Sequence, residues 1–243
     1  MIIDIKNVTK SYCSNFLRKK QKAVEKISLG IRKGEIFGVI GANGAGKSTL
    51  IKMIQGFIRP DEGYIRINDK HPFDPAARLK MGYLPENPYF YTNLTVVELL
   101  RFSAQASGVG KELAEKRIKQ LLQTVDLYQF KNQKLRTFSK GMTQRAGICF
   151  AIVHDPEIIV LDEPMSGLDP LGRKMVIDLI MALKKQGKTI LFCSHILNDV
   201  ERICDRVAVM DKGCLKKIFS KEDLGVNSME DVFLEIVQEG QKS

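Results

Sequence analysis

Long apolar runs are missing from this sequence. A membrane span needs about 18 consecutive apolar residues, and the longest runs, residues 148–153 and 158–161, are the size of core segments. Met1, Ile2 and Ile3 are followed at once by Asp4 and Lys6, so no secretory leader is expected. If the chain serves a membrane, another chain does the crossing. Cysteine is sparse and unpatterned. Cys13, Cys149, Cys193, Cys204 and Cys214 include no Cys-x-x-Cys pair, and their odd number argues against a disulfide framework. Reduced, mostly buried thiols of a cytosolic protein are expected, not a metal or redox centre. Internal repeats, low-complexity segments and heptad runs are absent too.

What is present suits one sizeable α/β domain. The 243 residues are 44% hydrophobic and 27% charged, within the usual range for a globular chain. The net charge is +10 and the isoelectric point about 9.3, a balance that favours nucleic acid, an anionic membrane surface or phosphate ligands. The densest basic run is Arg18-Lys19-Lys20-Gln21-Lys22. It reads either as a solvated loop or as a contact for anionic lipid head groups. Charge alone does not make nucleic acid a partner.

Ile3 and Ile5 alternate with Asp4 and Lys6, a strand pattern. Residues 36–40 form an apolar run that reads as a buried strand, and residues 47–57 as a helix. Pro60-Asp61-Glu62-Gly63 is a turn before a strand at Tyr64, Ile65 and Ile67, with another strand at 81–84. The segment from Thr95 to about Phe150 is mainly helical: Ala114, Ile118, Leu121, Leu122 and Val125 recur at helical spacing. Strand runs return at 158–161, 189–192 and 207–210, with helices at 171–183 and 196–203 between them. The expected fold is an α/β sheet core interrupted by a helical insert at about residues 86–155.

Gly41-Ala42-Asn43-Gly44-Ala45-Gly46-Lys47-Ser48 matches the phosphate-binding pattern G-x-x-x-x-G-K-[ST]. Glycines let the backbone curl so that several N–H groups face phosphate oxygens. The helix that starts near Lys47 adds its positive end. Lys47 brings a mobile charge to the β- and γ-phosphates, and the Ser48 hydroxyl is suited to Mg²⁺. With Thr49 these residues form the expected nucleotide-binding set. The run Ile158-Ile159-Val160-Leu161-Asp162-Glu163 is a strand ending in two carboxylates. Asp162 suits a Mg²⁺ water shell, and Glu163 suits acceptance of a proton from an attacking water.

With these motifs in place, the chain resembles an ABC transporter ATP-binding subunit over essentially its whole length. Phe138-Ser139-Lys140-Gly141-Met142-Thr143-Gln144-Arg145 is similar to the family's signature segment, Ser166-Gly167-Leu168-Asp169-Pro170 to its D-loop, and His195 to its switch histidine. Tyr12 sits where family members place an aromatic ring against adenine. The resemblance implies a P-loop NTPase (RecA-like) α/β core with an N-terminal antiparallel β region and an inserted α-helical subdomain. It implies that Ser139 and Gly141 meet the γ-phosphate of an ATP held by a second copy of the chain, and that His195 meets the γ-phosphate on its own side. MgATP would draw two copies together, and hydrolysis would let them part.

Two departures stand out. The usual Ser-Gly-Gly-Gln of the signature is Ser139-Lys140-Gly141-Met142 here, which keeps the serine and the second glycine. Glu86, in Pro85-Glu86-Asn87-Pro88, replaces the glutamine of the Q-loop. A carboxylate still reaches a metal's water shell, with added negative charge near the phosphates. Both departures resemble the branch that pairs with ABC-2-type permeases, mostly exporters. That branch implies a peripheral protein on the cytoplasmic face of a bacterial membrane. Tyr89, Phe90 and Tyr91 then read either as a surface for the permease or as core. Residues 228–237 read as a short amphipathic helix that closes the fold. Two other classes remain at this point, a soluble ABC ATPase acting on nucleic acid and a non-hydrolysing regulatory subunit. The single phosphate loop counts against the first, and the intact Lys47, Asp162, Glu163 and His195 count against the second.

Overall fold

A computed structural model describes residues 1–13, 20–224 and 229–239. Arg18 and Lys19 of the basic run and Ser228 lie outside the described residues. In chain order the first elements are β1 (Ile3–Cys13), β2 (Lys20–Ile31), β3 (Ile36–Ile40), α1 (Lys47–Ile54), β4 (Glu62–Ile67) and α2 (Pro75–Arg78). Next come β5 (Met81–Leu84), α3 (Val96–Ala106), α4 (Lys111–Thr124), α5 (Lys140–Ile152), β6 (Ile158–Asp162) and α6 (Pro170–Lys185). The last are β7 (Thr189–Cys193), α7 (Leu197–Ile203), β8 (Arg206–Asp211), β9 (Cys214–Ser220) and α8 (Met229–Glu239). The chain divides into two compact units, residues 1–78 with 189–243, and residues 79–188.

The first unit holds two sheets. β1 pairs antiparallel with β2 and with β4. Its pairing with β2 is broken by register shifts, and Asn7 and Lys26 take left-handed conformations with φ of 49° and 46°. β3 lies between β7 and β8, parallel to both, and β9 runs antiparallel along β8. Every residue of β3 and β7 is buried. A strand covered on both faces reads as an unbroken apolar run, as these two do. Phe37 and Phe192 are fully buried, and truncating either to alanine would cost about 3–5 kcal/mol. At the start of the strands Arg206 pairs with Glu35 at 3.0 Å, and Glu35 also accepts from the Arg32 amide at 2.6 Å. Met229 of α8 donates its amide to Glu201 of α7 at 3.3 Å, which ties the last helix to this unit.

In the second unit β5 and β6 pair in parallel, with Leu84 opposite Leu161. The helices α3, α4 and α5 pack together beside them. Helix α3 starts at a capping box. Thr95 accepts from the Glu98 amide at 3.2 Å while the Glu98 carboxylate accepts from the Thr95 amide at 2.7 Å. The Thr95 amide, together with the Thr95 hydroxyl that donates to the same carboxylate oxygen at 2.9 Å, holds the Glu98 carboxyl below its usual pKa. On α4 the buried face is Ala114, Ile118 and Leu122, as the helical spacing predicts. Among the described residues no helix is long and apolar enough to cross a membrane.

Candidate functional site

The phosphate-loop residues leave the carboxyl end of β3, where α1 begins. The N-cap of α1 is Gly46, at φ 99°, and no side chain caps the helix. Its first turn carries no acidic residue, so its amides keep their positive potential for an anion. Gly44, at φ 82°, has open space where a Cβ would sit. Gly46 does not: a Cβ there would come within 2.4 Å of the Ala23 carbonyl oxygen. A Cβ at Gly41 would come within 2.3 Å of the Met210 carbonyl oxygen. The loop therefore has solid walls, β2 on one side and β8 on the other.

The turn between β8 and β9 completes that support. Gly213 donates its amide to the Ala45 carbonyl at 3.1 Å and accepts from the Glu25 amide at 2.8 Å. Lys47 is buried, and its Nζ donates to the carbonyl oxygens of Gly41 at 2.6 Å and Ala42 at 3.2 Å, folding its charge across the curl. Ala42, Asn43, Gly44 and Ser48 are exposed, and Thr49 is half-buried. A buried ammonium, an uncapped helix start and a glycine curl fit a phosphate chain.

Two other expected residues lie in the same unit. His195 follows the end of β7 and is exposed. Since Val39 pairs with Cys193 across parallel strands, His195 and Gly41 leave the same strand edge. Ligands of open parallel sheets bind outside that edge. Tyr12 is 44% exposed on β1, opposite Gln21 of β2. That places it two residues along β2 from Ala23, the wall of Gly46.

The second unit holds the carboxylates and the signature-like segment. Asp162 and Glu163 are buried at the end of β6. Glu163 is left-handed, with φ 50°, a costly conformation for a residue with a side chain. Its carbonyl accepts from the Ser166 amide and from Gln144 Nε2, each at 3.1 Å. Because β5 and β6 are parallel and in register, the exposed Glu86 leaves the same end of that pair as Asp162 and Glu163.

Ser139 is exposed and caps α5, its Oγ accepting from the Met142 amide at 3.2 Å. A Cβ on Gly141 would come within 3.1 Å of the Gly167 carbonyl, so the start of α5 rests on the segment of residues 166–169. Asp169 caps α6 by accepting from the Gly172 amide at 2.8 Å, ahead of Pro170 at the first turn.

The thiols offer little chemistry. All five cysteines are free, three of them buried, and burial pushes Cys149 up to about 12. Near Glu86 an apolar cleft of about 540 Å³ is lined by Tyr83, Pro85, Tyr89, Tyr91 and Phe102, among others. Tyr89 and Tyr91 are exposed and so are not core, while half-buried Phe90 packs its ring 5.5 Å from Phe150.

Sequence motifs located the loop, both carboxylates and the cap of α5. They missed the supports Ala23 and Gly213, and they gave no role to Gln144, which lies within the signature-like segment of residues 138–145. A Lys-Gly pair between apolar strands was a usable signal for the turn at Gly213. Nothing local marked Ala23.

The comparisons agree with this geometry. The ABC transporter family model matches residues 24–166. An uncharacterised ABC transporter ATP-binding protein of Synechocystis sp. is 44% identical over 215 residues, 87% of this chain and 61% of that protein. The chain thus spans about three-fifths of that relative's length. The linearmycin resistance ATP-binding protein of Bacillus subtilis is 34% identical over 241 residues, 98% of this chain and 76% of that one. Among solved structures, the ATP-binding subunit of an ABC transporter superposes with a TM-score of 0.90 at 32% identity, over 98% of this chain and all of the other. An ATP-binding cassette solved as a dimer in a post-hydrolysis state with ADP and Pi gives 0.83 at 26%, over 90% and 98% of the two chains. A curled loop walled by backbone on both sides, a strand ending in paired carboxylates and likenesses that run nearly end to end lead to one conclusion: the chain belongs to the ABC transporter family, among its ATP-binding proteins.

Proposed function

We propose that the chain binds MgATP, hydrolyses it between two copies of itself, and so drives a membrane permease. The observation that carries this is the loop of residues 41–47, a backbone curl closed by Lys47 and opening onto an uncapped helix. Residues 41–49 would cradle the phosphates and Tyr12 would stack on the adenine. Ser48 and Asp162, with Glu86, would hold Mg²⁺, which supplies positive charge to the β- and γ-phosphate oxygens. Glu163 would take the proton of the attacking water, and His195 would contact the γ-phosphate. Ser139 and Gly141 would meet the nucleotide of the other copy, with Asp169 in the segment beneath them. Phosphoryl transfer needs positioning and charge more than covalent help, and these residues provide both.

The permease reading rests on the exposed tyrosines and the cleft beside Glu86, a fit for an apolar helical segment of a partner. An ABC-2-type partner and the export direction rest on the family branch and on a relative named for resistance. The domain reading is one ATPase domain over residues 1–243 with a helical insert near 86–155, held peripherally at the cytoplasmic face. Lys20 and Lys22 leave room for an anionic lipid contact, although Lys22 already pairs with Glu25. No nucleic acid partner is needed.

The test is the mass of Glu163→Gln in solution with and without MgATP. The variant keeps the binding residues and loses the proton acceptor, so a dimer should accumulate with ATP and disappear again in Glu163→Gln/Ser139→Arg. A monomer under every condition would overturn a self-sufficient paired site.

A further inference from the structure

Gln144 is 2% exposed on α5, about a turn and a half from Ser139. It is a polar side chain with an amide to satisfy, on a face where an apolar residue would fill the space at lower desolvation cost. Its Nε2 donates to the carbonyl oxygen of Glu163 at 3.1 Å. That carbonyl belongs to the residue whose backbone is left-handed at φ 50°. Such a conformation costs about 1–3 kcal/mol and persists only where neighbours hold it. The Ser166 amide and Gln144 both hold its carbonyl. Rotation about the N–Cα bond of Glu163 out of this state would swing its carboxylate and its carbonyl together and break both bonds.

The other end of the connection is the start of α5. Ser139 caps it, Gly141 rests on the Gly167 carbonyl, and the side chain of Lys140 lies along Gly167. Residues 163–169 and the first turns of α5 are therefore held together by several contacts, and the Gln144 hydrogen bond runs from α5 to the backbone of Glu163 itself. A rigid helix moves as a body, so a displacement of its N-terminus on meeting an anion is passed to Gln144.

We infer that Gln144 is a positioning residue that fastens the aim of the Glu163 carboxylate to the N-terminus of α5. The inference rests on the proposed hydrolysis. In the paired arrangement α5 meets the nucleotide of the other copy while Glu163 serves its own. Gln144 then makes hydrolysis at one site sensitive to occupancy of the other, through one side-chain hydrogen bond.

The experiment is steady-state ATP hydrolysis by the full chain as wild type, Glu163→Gln and Gln144→Met. Methionine keeps the length and shape of glutamine and removes the donor. The kcat of Gln144→Met should fall about thirtyfold, the scale of a misplaced general base, with KM for ATP within about twofold of wild type. ATP-dependent dimerisation of Glu163→Gln should survive the added Gln144→Met change. A kcat within about threefold of wild type overturns the inference, as does a loss of dimerisation in parallel with kcat, which would mark a purely structural residue. If the methionine variant does not fold, Gln144→Asn reads the same contact with the amide one methylene short, and wild-type kcat there overturns the inference. Absence of wild-type turnover, or turnover that survives Glu163→Gln, sinks the hydrolysis reading itself and is told apart from the Gln144 outcome by those two controls.

Discussion

Two helix N-termini in this protein are suited to anions, and they are built in opposite ways. The start of α1 has no side-chain cap, and its approach is a curl that backbone carbonyls wall in at Gly41 and Gly46. A buried lysine closes it. The start of α5 is capped by its own Ser139, is exposed, and leans on the segment of residues 166–169. The first start thus has its walls and its buried cation in one unit. The other has satisfied one of its amides and leaves the rest exposed. An anion at α1 meets a lysine as well as free amides, whereas α5 alone makes a weak anion site. The asymmetry suits a machine in which the first helix keeps a nucleotide and the second senses one.

The largest effect should come from the walls around α1. In Gly46→Ala the new Cβ meets the Ala23 carbonyl at 2.4 Å in a left-handed backbone, so a loss of roughly 2–4 kcal/mol is expected together with nucleotide binding. Gly44→Ala has the same backbone sign but open space, and should lose about 1 kcal/mol. Urea melts of both variants, with titration of a fluorescent ATP analogue, measure the contrast. Equal losses would break the claim that the wall matters beyond the backbone conformation. Next comes Ser139→Ala, which should cost about 1 kcal/mol through the lost cap. It should lower turnover about tenfold, with nucleotide affinity of the α1 loop in the single chain unchanged, because in the proposed pair Ser139 meets the nucleotide held by the other copy. An affinity loss matching that of Gly46→Ala would erase the distinction between them.

The smallest effect lies at the far end of α5. His154 follows that helix, its Nε2 lies 3.1 Å from the Met81 carbonyl, and burial lowers its pKa below the usual imidazole value. The folded value is the lower one, so unfolding takes up a proton below about pH 6.5. Its contribution to stability is full above that pH and declines as the pH drops through the unfolded value toward the folded one. Melting temperatures of wild type and His154→Gln between pH 7.5 and 5.5 should show a shallower decline in the variant. Parallel curves would remove His154 from the account.

The legible parts of the fold were the strands buried on both faces. Residues 36–40, 81–84, 158–161, 189–192 and 207–210 read as apolar runs and appear as β3, β5, β6, β7 and β8. β9 was not legible because Lys216 and Lys217 interrupt an edge strand that pairs on one side only with β8. β2 hides its alternation behind a bulge at Lys26, where φ turns positive. Helix α1 ends at Ile54 rather than 57, since Gly56 takes φ 69° against the Pro72 carbonyl. The site followed the same division. Its motif residues carry their chemistry in their own side chains and spacing. Its supports act through backbone carbonyls distant in sequence, as at Ala23 and Met210, or through an amide that looks like any helical glutamine.

The dependence of the phosphate loop on Gly213 also bears on synthesis. β3 emerges early from the ribosome, yet both strands that flank it, β7 and β8, and the turn that braces Ala45 are translated near the end. A nascent chain therefore carries the glycine-rich segment for most of its synthesis with neither flank in place. A product terminated before the last hairpin would lack β8, which walls the loop at Met210, and the Gly213 brace of Ala45.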